Sequence, residues 1–125
     1  MTSLSAGMAV FAKLNDNRAL TTRVTKIFPV VADEAVLPYI AYRRGDFVPT
    51  AVKQLPGCET VRVEISICAA SYAESVELAE IVRTCLDRQQ WTTGELHVRG
   101  CSLAGGEESW NDDCFVQNLV FNVKI

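Results

Sequence analysis

A single histidine and five cysteines are the residues of this chain best suited to nucleophilic or metal chemistry. His97 lies in ELHVRGCSL, alternating with Glu95 and Arg99 on the polar side of a strand pattern. A general base needs a nucleophile in reach and usually a carboxylate to orient it. The sequence marks neither. The cysteines are Cys58, Cys68, Cys85, Cys101 and Cys114. They form no CxxC pair, and one histidine leaves no zinc-ligand spacing. No thiol sits in a nucleophile signature either.

Four carboxylates, Glu107, Glu108, Asp112 and Asp113, crowd around Trp110, and such a group can hold a hard cation. EF-hand spacing is missing, however, and acidic residues in a glycine-bearing hairpin loop are ordinarily solvated. The adjoining Gly105-Gly106 pair lacks any phosphate-cradling context. Arg43 and Arg44 end a strand pattern on opposite faces, followed by Gly45, Asp46 and Phe47. The RGD tripeptide is too short a match to imply adhesion. Because arginine is enriched at protein contacts, Arg43, Arg44, Asp46 and Phe47 are instead a candidate subunit or partner interface. No catalytic set emerges, so the expectation is a protein that is not an enzyme and uses no cofactor or metal.

The elements that must position these residues begin with chain size. A chain of 125 residues is the length of one domain and can bury a core without staples. Hydrophobic residues make up 49% of it, which argues against disorder. Twelve basic and fifteen acidic residues give a net charge of −3, mixed along the chain, so no basic stripe advertises nucleic-acid binding. The N-terminus lacks a basic segment followed by a long apolar run, so no secretion signal is expected. With an odd cysteine count and wide spacings, all five thiols are expected to be reduced. No apolar run approaches the roughly 20 residues that cross a membrane.

Leu4, Met8, Phe11 and Leu14 recur at helical spacing and predict an N-terminal helix ending near Asn15-Asp16-Asn17, with these four as its apolar stripe. VTKIFP is a short β-prone run that Pro29 ends. PYIAYRR is a second run, which Pro38 opens. Asp33 and Glu34 form the solvated tip of the connection between them. Residues 45–58, with two prolines, read as a long loop. ETVRVEISICA is the cleanest strand, with Val61, Val63, Ile65 and Ile67 on its buried side. SYAE then fits a capping box, Ser71 with Glu74, opening a helix whose stripe is Leu78, Ile81, Val82, Cys85 and Leu86. Two final strand patterns, ELHVRGCSL and FVQNLVFNVKI, flank the loop AGGEESWNDD and predict an extended hairpin. The expected fold is α+β: a mainly antiparallel sheet of four to five strands with two helices packed on one face.

Ile27-Phe28-Pro29, Pro38-Tyr39-Ile40-Ala41-Tyr42 and the strand-to-helix element ICAASYAESVELAEIVRTCLD carry a resemblance. In this spacing they resemble the phage and prophage tail-completion, or head-to-tail joining, proteins. The likeness runs through nearly the whole chain, although Pro49, Pro56 and Cys58 follow no family pattern. It implies a non-enzymatic virion structural protein, assembled in the host cytoplasm. Its relatives form rings, commonly of six subunits, between head connector and tail tube. The expected partners are copies of itself and the connector and tail-tube proteins, with no sequence-specific nucleic acid and no membrane. A ring that passes DNA should not grip it, which makes Glu107, Glu108, Asp112 and Asp113 candidates for a repelling lumen. The alternative is a small cytosolic ligand-binding or regulatory α+β domain. A hydrolase built on His97 and a cysteine ranks below both.

Overall fold

Strict alternation in ETVRVEISICA produces the strand around which the fold is built. The computed structural model describes residues 3–30, 33–45 and 59–125. In chain order the elements are a 3-10 turn (Ser3–Ser5), α1 (Ala6–Asn15), α2 (Arg18–Thr21), β1 (Ile27–Pro29) and β2 (Tyr39–Arg44). There follow β3 (Thr60–Ala69), α3 (Tyr72–Leu86), β4 (Gln89–Thr93), β5 (Leu96–Asn111) and β6 (Cys114–Lys124). The six strands form one sheet in the order β1-β2-β3-β6-β5-β4. All neighbours are antiparallel except β1 and β2, which run parallel.

The α+β class agrees with the expectation, but the element count is corrected to six strands and three α-helices among the described residues. The added strand is β4, QQWTT, which turns into β5 through Gly94-Glu95 with Gly94 at φ 57. A two-residue link led by glycine is a hairpin signal. The added helix, α2, is one turn. Its N-cap is Asn17, whose side chain accepts the Leu20 N–H at 3.2 Å. Asn17 thus starts α2 directly after α1 ends at Asn15, within the stretch where that end is expected.

On α1 the helical period is right and the predicted face is half right, since Leu14 is buried and Phe11 packs against the core. Leu4 and Met8 are exposed, while Ala6, Ala9, Val10 and Leu14 are buried. Small alanines let this helix approach its neighbours closely, and the Trp91 indole N–H of β4 donates to the Ala9 carbonyl at 3.0 Å. Helix α3 behaves as its sequence predicts. Ser71 is the N-cap and accepts the Glu74 N–H at 3.2 Å. Leu78, Val82, Cys85 and Leu86 are buried, with Ile81 packed beside them.

One apolar cluster joins Val10 and Leu14 of α1, Leu78 and Val82 of α3, and the sheet residues Ile65, Ile67, Val98 and Phe121. Both long helices therefore cover the same sheet face. The other face is largely polar. Arg43 and Glu64 form a cross-strand ion pair there, and the Ser66 hydroxyl donates to the Asn118 side-chain oxygen at 2.7 Å. At one end of this face Tyr39 and Leu37 pack on a small cluster of Cys68, Cys114 and Val116. Pro29 closes an edge strand, as its position predicts. The Leu37-Pro38 bond is cis, and Tyr39 opens β2 directly after it. No helix among the described residues is long and apolar enough to cross a membrane.

Candidate assembly interface

The expected ten-residue acidic loop does not exist; it is strand and turn. Strand β5 continues to Asn111 and pairs with β6 down to Asn111 and Cys114. Only Asp112 and Asp113 lie between, at φ 48 and φ 62. Positive φ at both central residues is the type I′ hairpin geometry, which matches strand twist and which aspartate tolerates. The Gly-Gly pair misled the sequence reading because it looks like a loop tip. It serves another purpose. At Leu103 to Gly105 the register slips by one residue, a β-bulge that re-aims the rest of the strand. Gly106 then runs so close to β6 that an added Cβ would meet the Asn118 carbonyl oxygen at 2.9 Å.

Alternation sends the carboxylates to different places. Glu107 lies on the polar sheet face, beside a concavity of about 790 Å3 whose lining includes Arg43, Arg62 and Asn118. Glu108 turns to the helix face, where it accepts the Tyr72 hydroxyl at 3.0 Å and the Gln117 side-chain N–H at 3.0 Å. Accepting that hydroxyl raises the Tyr72 phenol pKa. Asp112 and Asp113 form the turn. Among the described residues no group of three His, Cys, Asp or Glu side chains is placed to hold a metal.

Around Glu108 sits an aromatic patch that the sequence reading did not single out. The Trp110 ring meets Phe115 at 4.7 Å between centroids, and Tyr72 meets the same ring edge-on at 5.9 Å. Trp110 nevertheless remains 57% exposed and Tyr72 50%. Exposed tryptophan and tyrosine beside a small hollow are the usual anchors of protein contacts. The available signal was a tryptophan inside an otherwise polar hairpin.

The basic candidates lie at the opposite end of the sheet. Arg43 and Arg44 finish β2 as exposed residues, Arg43 held by Glu64. Asp46 and Phe47, like Cys58 and most of the 45–58 stretch, lie outside the described residues. His97 is exposed, its Nδ1 2.8 Å from the Thr92 hydroxyl on the neighbouring strand. Burial pushes Cys101 up to about 12 and also raises Cys85 and Cys114. The described cysteines Cys68, Cys85, Cys101 and Cys114 are all free and buried.

A family model described as "Tail completion protein gp17" matches residues 8–112. The chain belongs to that family. The match spans both proline-marked strands, the β3–α3 element and β5 up to its turn, while β6 lies beyond it. The tail-completion chain is accordingly a structural phage tail protein. No curated protein matches it. Its fold is similar to a chain described as "Virion of native gene transfer agent (GTA) particle", at a TM-score of 0.81 and 16% identity. That likeness covers 99% of this chain and 98% of the other.

Proposed function

We propose that this tail-completion protein closes into a homo-oligomeric ring that joins the head connector to the tail tube. The observation that carries the reading is family membership over residues 8–112. The full-length likeness to a chain of a virion particle supports a place in the finished particle. Two physical features favour a ring. The sheet has two chemically unlike lateral edges, and unlike patches that meet by rotation generate rings rather than closed pairs. Moreover, the hairpin from Gly100 to Val123 carries four carboxylates and no Lys, Arg or His. Placed towards the channel, the turn residues Asp112 and Asp113, together with Glu107, would repel DNA and let it slide. Glu108 is diverted from that role by Tyr72 and Gln117. Arg43 and Arg44, at the far end of the sheet, are proposed for docking on the connector or tube, with Asp46 and Phe47 beside them in sequence. No catalytic step is part of this role.

The test is assembly without the chain. Particles made in its absence should accumulate as separate filled heads and tails, visible by electron microscopy. Normally joined particles would overturn the proposal.

A further inference from the structure

The exposed large apolar side chains of the described residues include Val36, in the connection between β1 and β2, and Trp110, on β5. Strand β1 forms one edge of the sheet. At the other, β4 pairs with β5 only from Leu96 to Cys101. Beyond that point β5 has β6 as its sole strand partner among the described residues, so Gly105–Asn111 shows an unsatisfied backbone edge. Such an edge is a template for another strand.

The cross-sheet register relates the two edges. Ile27 pairs with Ile40, Ile40 with Ile67, Ile67 with Gln117, and Gln117 with Glu108. Ile27 and Glu108 thus stand at the same height on opposite edges. Following strand directions through the sheet, β1 runs antiparallel to β5. A copy rotated about an axis along the strands would therefore present its β1, antiparallel and level, to the bare half of β5. Side chains of the two edges are complementary where they share a face. Lys26 projects on the polar face, its ammonium 5.0 Å from the Phe28 ring centroid, and stands level with Ser109, so it is the diagonal neighbour of Glu107 on the polar face of the other edge, within reach of a long side chain. Like edges repel: two antiparallel β5 edges centred on this stretch would set Glu107 against Glu107 or Glu108 against Glu108. The contact with a second copy is heterologous. Pro29 has no N–H and ends the ladder after β1, so the pairing is a short clasp that cannot spread into an open-ended sheet.

We infer that the bare edge of β5 receives β1 of a second copy, Glu107 pairing diagonally with Lys26. This rests on the ring reading and specifies its subunit contact.

The test is zero-length carbodiimide cross-linking of the whole protein in an equal mixture of ordinary and heavy-nitrogen batches. Links of mixed isotope join separate copies. The expected product is an amide between the Glu107 carboxylate of one copy and the Lys26 amine of another, formed with loss of water. Glu107→Lys and Lys26→Glu should each abolish the larger species in native mass spectra, and the two changes in one chain should restore them. Assembly unaffected by either change, or mixed-isotope links that map elsewhere, would overturn this contact and leave the ring standing. A protein with no mixed-isotope links and only a monomer mass would overturn the ring reading, and the contact with it.

Discussion

The Tyr72 hydroxyl donates to the Glu108 carboxylate across 3.0 Å, tying the first turn of α3 to the bare half of β5. Both side chains are solvent-exposed, so the link is a positional device more than a source of stability. Tyr72→Phe should leave the melting temperature nearly unchanged but speed hydrogen exchange of the β5 amides from Gly105 to Asn111. Unchanged exchange would show that the hairpin stands without the tie.

Adjacent glycines should respond in opposite ways. A Cβ at Gly106 meets the Asn118 carbonyl oxygen at 2.9 Å and Leu119 Cδ2 at 3.1 Å, whereas one at Gly105 meets nothing within 4 Å. Gly106→Ala should cost about 1–3 kcal/mol, as overpacking does, in urea unfolding. Gly105→Ala should be neutral or slightly stabilising.

The turn aspartates are separable from their charge. Asp112→Asn with Asp113→Gly supplies the favoured type I′ pair for residues at φ 48 and φ 62. Stability should hold or rise by up to about 1 kcal/mol, since left-handed backbone is strained for residues other than glycine. Asp113→Val should lower the melting temperature. If the charges repel DNA, the folded Asn-Gly variant should retain DNA that the natural protein does not, read by gel shift at low salt.

Asp87 makes acid sensitivity specific. Its carboxylate accepts the Leu103 N–H at 2.9 Å and lies 3.5 Å from Arg83 Nε. The Leu103 hydrogen bond first, then Arg83, lower its pKa against the opposing effect of burial. A folded pKa below the unfolded value, about 3.9, stabilises the fold above that pH, and the gain is lost as pH falls through the folded pKa. Asp87→Ala should therefore destabilise clearly at neutral pH and much less near pH 3, as followed by thermal melts across pH.

Alternation made β3 and β6 legible, and the Ser71 cap made α3 legible, because each is a local pattern with one physical solution. On α1, Leu4 and Met8 shared helical spacing with Leu14, but close packing selected the alanine face, which hydrophobicity alone does not rank first. The hairpin end was misread because Gly105-Gly106 mimics a loop, while the close approach to Asn118 that requires Gly106 is a long-range fact. For the same reason Glu107 and Glu108 read as one acidic cluster when a bulge and strand alternation send them to opposite faces. Trp110 was visible in the sequence, but Tyr72, which meets the same Phe115 ring, lies on a separate element and joins the patch only in the fold.

Native mass spectrometry of the purified protein over a range of concentrations tests the ring most directly. The expected result is a monomer that converts to one discrete closed oligomer with no ladder of intermediate or larger masses. A monomer at every concentration, or an open-ended series of masses, would contradict it.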